Sequence, residues 1–189
     1  CGKSTLLKQY QELLKQEGIQ EAQVISINFE ELEFEELLDY KKLYAYIKER
    51  MQPNQKNYIF LDEIQRVDSF EKVVDSLYVK ENTDIYITGS NAYMLSSDLA
   101  TLLTGRYVEI SMLPLSFREY CAITKTDGET AFSEYMKNGG FPYIAVMDKT
   151  TEKVTAYLEG IYNTVIVKDI EERQNRREKD PDRRKITDI

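Results

Sequence analysis

Apolar residues recur along the chain at two alternating periods. In 4–17, Leu6, Leu7, Tyr10, Leu13 and Leu14 fall at helical spacing, which predicts a helix stopped by Gly18. Residues 22–28 carry Val24, Ile25 and Ile27 and suit a mostly buried strand. In 35–51, Leu37, Tyr40, Tyr44, Ile47 and Met51 step by three and four, which predicts the clearest helix of the chain. Pro53 and Asn54 break it. Residues 57–61 read as a short buried strand ending at Asp62. Asp68 with Glu71 has the form of a capping box ahead of the helical stripe Phe70, Val73, Val74 and Leu77. A third strand is expected at 84–88, ending in Gly89, then a helix at 92–103 and a fourth strand at 107–112. Strands that alternate with helices predict an α/β fold, with a parallel sheet covered on both faces.

After Pro114 the pattern is helical only, with short helices at 116–123 and 130–138 and a long one marked by Val154, Tyr157, Leu158, Ile161, Tyr162, Val165 and Ile166. A boundary is set in 125–129, giving an α/β core over 1–124 and a helical segment over 125–189.

Composition narrows the chemistry. The 189 residues suffice for a buried core without disulfides. The net charge of −8 argues against a general grip on nucleic acid. The absence of histidine excludes His-based zinc sites and catalytic triads within these residues. Cys1 and Cys121 form no metal-type pair, which fits free thiols in a reducing, cytoplasmic setting. No apolar run approaches membrane-span length. The acidic run at 30–39 and the mixed run at 171–185 are read as solvated surface. The chain begins at Cys1 in mid-motif, so it is expected to be a fragment cut at both ends.

Residues 1–5, Cys-Gly-Lys-Ser-Thr, open directly into a helix, as the last part of a phosphate-binding loop does. Such a loop uses backbone N–H groups at a helix N-terminus to cradle phosphate oxygens. Gly2 and Cys1 would lie in its turn. Lys3 would supply a cation to the outer phosphates, Ser4 a hydroxyl to Mg²⁺, and Thr5 a contact near the inner phosphate. The tetrapeptide alone also fits a plain capped helix start. A second element decides between them: Tyr58-Ile59-Phe60-Leu61-Asp62-Glu63 is an apolar strand ending in two carboxylates, one helix–strand–helix passage later. Asp62 would hold Mg²⁺, mostly through water, and Glu63 would polarise the attacking water. Thr88-Gly89-Ser90-Asn91 ends the next strand; Ser90 or Asn91 would sense the γ-phosphate, or the segment is an ordinary turn. Arg106, after Leu103-Thr104-Gly105, would neutralise charge on a triphosphate, or is a surface residue after a helix-ending glycine.

With GKST at 2–5, YIFLDEIQ at 58–65, ITGSNA at 87–92, LTGR at 103–106, PLSFREY at 114–120, GGFP at 139–142 and VKDIEER at 167–173, the chain resembles the prokaryotic AAA-type ATP-binding proteins of the archaeal-ATPase-like group, which carry a C-terminal domain of unknown function. The resemblance implies a P-loop sheet of order 5-1-4-3-2, ATP and Mg²⁺ binding, and hydrolysis with Glu63 activating water. It places Lys3, Ser4, Asp62, Glu63 and Arg106 on family motif positions. It also implies that PLSF caps the core and that GGFP opens a lid or winged-helix-like region. The family's first, central strand and half of its phosphate loop precede the residues present here. Strands on either side of a missing one stand roughly 10 Å apart, too far for a ladder. The strands at 84–88 and 107–112 are therefore expected to leave an open slot or to collapse together, and the chain as it stands is expected to bind ATP poorly.

The expected function is a Mg²⁺-dependent ATPase whose cycle switches the conformation of a protein partner, with homo-oligomers conceivable. The alternative is a non-catalytic, nucleotide-gated signalling or scaffold module. A phosphotransferase ranks last: between Ser90 and Lys149 only Arg106 and Arg118 are available to an arginine-bearing lid.

Overall fold

The computed structural model describes residues 2–80, 82–89, 106–148 and 150–163. They belong to two compact units, Gly2–Met112 and a second from Leu113 on. The sequence division between 124 and 125 falls later, and residues 113–124 stand with the helices that follow them.

The first unit is α/β. Its sheet has strands β1 (Val24–Asn28), β2 (Asn57–Asp62) and β3 (Thr83–Ile87), all parallel, in the order β1-β2-β3. Along β2, successive side chains face opposite ways. Ile59 and Leu61 join Ile25 and Ile27 in one core with Leu43 and Ile47 of α2 (Tyr40–Arg50) and with Phe70, Val73, Val74 and Leu77 of α3 (Phe70–Tyr78). Burying side chains of this size stabilises by about 2 kcal/mol each, so this face holds most of the unit's cohesion. Phe60 faces the other way, under Tyr10 of α1 (Lys3–Gln16). Phe60 stacks on Tyr86, and the Tyr10 and Tyr86 hydroxyls lie 3.3 Å apart. Burial, and then the hydrogen bond to Tyr10, push the Tyr86 hydroxyl pKa well above its ordinary value. Gly18 ends α1 in a left-handed conformation (φ +91°), as the sequence predicts.

Three local expectations are corrected. The helix expected over 35–51 is two pieces, a 3-10 stretch over Leu32–Leu38 and α2. Asp39 separates them with extended backbone, bridges in parallel to Asp68, and accepts the Lys41 and Lys42 amides on its side chain. The Lys42 and then the Lys41 amide bonds hold its carboxyl below the usual range. The apolar stripe therefore changes phase there, and Leu43 becomes a fully buried core residue of α2. The capping box at Asp68 and Glu71 does not form: Ser69, in a left-handed conformation, caps α3 without a side-chain bond. The box appears instead at Ser116 and Glu119, ahead of a helix in the second unit.

The fourth strand is the third correction. Residues 107–112 are not a strand, and Val108 and Ile110 are 89% and 76% exposed. A strand needs a ladder partner, and among the described residues none pairs with this segment or with the outer edge of β3. The open slot and the collapse both presuppose this fourth strand, so neither outcome describes the residues seen here. The helix expected at 92–103 lies outside the described residues.

The second unit is helical among the described residues: α4 (Phe117–Thr124), α5 (Gly128–Asn138), α6 (Pro142–Val146) and α7 (Thr151–Ile161). The Leu115 amide donates to the Gly140 carbonyl at 2.7 Å, and the Tyr135 hydroxyl donates to the Leu115 carbonyl at 2.7 Å. PLSF and GGFP are thus two sides of one contact. No described helix is long and apolar enough to cross a membrane.

Two stability tests follow from this packing. Asn57 is fully buried and joins the loop before β2, accepting the Gln52 amide and donating to the Gln52 and Gln55 carbonyls. Asn57→Ala strands these groups and should lower the unfolding free energy in urea by about 2 kcal/mol. A Cβ at Gly140 would stand 2.3 Å from the Leu115 carbonyl oxygen. Gly140→Ala should destabilise the helical unit by about 1–3 kcal/mol, read as faster limited proteolysis after Leu113.

Candidate functional site

α1 runs antiparallel to the strands. Gln11 donates to Ser26 in the middle of β1, and Tyr10 meets Phe60 and Tyr86, so earlier residues of α1 reach toward the strand tips. Ser4 lies about 9 Å up the helix from Tyr10, and Asp62 lies about 7 Å along the strand from Phe60. The first turn of α1 therefore overhangs the ends of β1 and β2. A cleft of about 200 Å³ opens there, its walls including Ser4, Lys8, Asn28, Glu31 and Asp62.

Gly2 starts α1 in a left-handed conformation (φ +91°), which glycine adopts at little cost. Its carbonyl accepts the Leu6 amide at 2.9 Å. No described side chain caps this end, and its first turn carries no acid. A helix N-terminus of this kind favours an anion.

At the tip of β2, Asp62 is 8% exposed. The Thr88 hydroxyl donates to Asp62 Oδ1 and accepts the Glu63 amide at 3.2 Å. The Thr88 amide donates to the Leu61 carbonyl at 3.0 Å, and the Thr88 carbonyl accepts the Ile64 amide at 3.1 Å. Glu63 itself is left-handed (φ +57°, ψ +43°), and its carboxylate accepts from the Gln65 side chain. A non-glycine residue in this conformation is held there by its surroundings. At the tip of β1, Asn28 stands opposite Asp62 and donates to Glu31 at 3.2 Å.

The structure thus brings Ser4 and Asp62 to one cleft and sets Glu63 beside Asp62. Lys3 is the first residue of α1, and Thr5 is exposed on its first turn. Cys1, Ser90 and Asn91 lie outside the described residues. Arg106 is elsewhere: its Nη1 lies 3.1 Å from Asp75 of α3 and its guanidinium 5.8 Å from the Tyr78 ring centre. Thr83 donates to the Leu77 carbonyl, so this end of α3 adjoins the start of β3. The strand path from Thr83 to Thr88 is about 17 Å, and Arg106 is not brought to the acidic pair. The exposed ion pair is worth under about 1 kcal/mol, too little to hold Arg106 against a multiply charged anion.

Two residues of the site have no place in the sequence expectation: Thr88, which bonds to the acidic pair, and Glu31, which lines the cleft. The signal for Thr88 lies in the sheet: in the parallel register of Leu61 with Ile87, the residue after Ile87 falls beside Asp62.

The backbone of Glu63 gives a test. Glu63→Gly relieves the left-handed strain and should raise unfolding free energy in urea by about 1 kcal/mol over Glu63→Gln. A lower value would show that the side-chain contacts a glutamine keeps at this position outweigh the backbone strain.

The model of the AAA domain family matches residues 1–121. An uncharacterized protein of Haemophilus influenzae is 42% identical over 178 residues, covering 91% of this chain and 44% of that protein. Two uncharacterized proteins of Methanocaldococcus jannaschii are 35% and 33% identical, covering 76% and 72% of this chain and 35% and 29% of their own lengths. The chain therefore spans less than half the length of these curated relatives. No solved structure matches it.

Proposed function

The chain belongs to the AAA domain family, and we propose that it is the nucleotide-binding part of a Mg²⁺-dependent ATPase whose cycle switches the conformation of a protein partner. The family supports nucleotide binding. The observation that carries the finer reading is the acidic pair Asp62-Glu63 at the tip of β2, in reach of the cleft that Ser4 lines under the first turn of α1. Binding alone needs no second carboxylate.

In this reading Gly2, Cys1 and the amides at the start of α1 cradle the phosphates, Lys3 pairs with the outer ones, and Thr5 contacts the inner one. The donors fit Mg²⁺: a hydroxyl at Ser4 and a carboxylate at Asp62 are hard oxygen ligands. No described group of three acids or cysteines forms a metal cage, and Mg²⁺ held between a substrate's phosphates and one or two protein ligands uses none. When bound, the ion would neutralise charge on the β- and γ-phosphate oxygens. Glu63 takes the role of orienting and polarising the attacking water. Ser90 or Asn91 senses the γ-phosphate, and Arg106 leaves Asp75 to meet the triphosphate, from its own subunit or from a neighbouring copy. A cytoplasmic location supplies ATP and Mg²⁺.

The pairing of Arg106 with Asp75 favours a second reading, in which ATP orders the protein without being hydrolysed. Steady-state ATP hydrolysis by the full-length protein, beside its Glu63→Gln variant, separates the two. Turnover should fall about 10²–10⁴-fold in the variant while ATP binding persists. If both proteins bind ATP and neither hydrolyses it, the nucleotide-gated module is the function.

A further inference from the structure

Thr88 is tied to the acidic segment by four hydrogen bonds. Its amide and carbonyl hold Leu61 and Ile64 from the backbone. Its hydroxyl accepts the Glu63 amide and gives its one proton to Asp62 Oδ1. The two bonds complement each other, because a hydroxyl that accepts an amide still has its proton to give. Among the described residues, Oδ1 is the Asp62 oxygen that is hydrogen-bonded. Thr88 is itself 8% exposed, and a β-branched side chain has few rotamers in which to stray.

We infer that Thr88 is the positioning residue of the acidic pair. Its hydroxyl fixes the rotation of the Asp62 carboxylate, so that the other oxygen is presented to the cleft. It also pins the amide of Glu63, which keeps that residue left-handed. This rests on the ATPase reading, since it gives the carboxylate a cation to face. Partners that orient a metal-binding carboxylate set its affinity without touching the ion.

The test compares Thr88→Val, which keeps the shape and loses the hydroxyl, with Thr88→Ser, which keeps the hydroxyl. Binding of a fluorescent ATP analogue to the full-length protein is titrated with Mg²⁺ and also measured without it. Hydrogen exchange at 61–64 is followed in the nucleotide-free proteins. In Thr88→Val the Mg²⁺ concentration for half-saturation should rise about tenfold or more. Mg²⁺-free binding should be unchanged, and the Glu63 amide should exchange faster. Thr88→Ser should restore both properties. A Thr88→Val protein with wild-type Mg²⁺ dependence overturns the positioning role. So does one that loses Mg²⁺-free and Mg²⁺-dependent binding alike, which marks a purely structural residue. If the wild type binds ATP equally with and without Mg²⁺, the positioning role fails while nucleotide binding stands. If the wild type binds no ATP at all, the ATPase reading falls and this inference falls with it.

Discussion

The arrangement depends on the alternation of side chains along β2. Ile59 and Leu61 are fully buried against the helices of one face, and Phe60 packs beneath α1 on the other. With that parity set, Asp62 must fall on the α1 face, at the strand's end, where the cleft is. A slip of one residue would reverse every assignment and drive a carboxylate into the apolar face. Each displaced apolar side chain would cost about 2 kcal/mol, and an unpaired buried charge several kcal/mol more. The hydrophobic core thus fixes where the acid stands before any chemistry is considered.

The same strand tip holds the strain. Glu63 is left-handed between an acid that is nearly buried and Ile64, which is fully buried. Neither neighbour can follow it out of that conformation without losing packing or hydrogen bonds. Val67, also buried, and Arg66, which donates to the Phe29 carbonyl at 2.7 Å, anchor the turn on its far side. Strain of about 1–3 kcal/mol is thereby offset by contacts outside the pair itself. Such a site trades stability for a fixed orientation of its carboxylates.

Much of this was legible in the sequence, for physical reasons that differ by element. The stripe Phe70, Val73, Val74 and Leu77 is one helix face against one core, and all four are buried as its period requires. The three strands are short apolar runs bounded by polar residues, and their ends fall within two residues of the expected ones. Asp62 and Glu63 were legible because the strand before them is apolar. The break at Asp39 was not, because it depends on a bridge to Asp68, a partner distant in sequence. The strand at 107–112 failed for the complementary reason: its residues favour a strand, but a strand exists only with a partner. Thr88 was missed because its role arises from register across the sheet, which no single segment encodes.

The second unit separates motifs that are chemical from motifs that are architectural. PLSF and GGFP meet each other in the structure through Leu115 and Gly140 rather than through a charged group. Gly140 has no room for a side chain there, and Ser116 with Glu119 caps the helix that follows. Backbone approach at Gly140 and side-chain capping by Ser116 and Glu119 are both architectural roles. The short and common motifs, GKST and the acidic pair, carry the proposed chemistry, because phosphate and Mg²⁺ ask only for amides, a cation and hard oxygens.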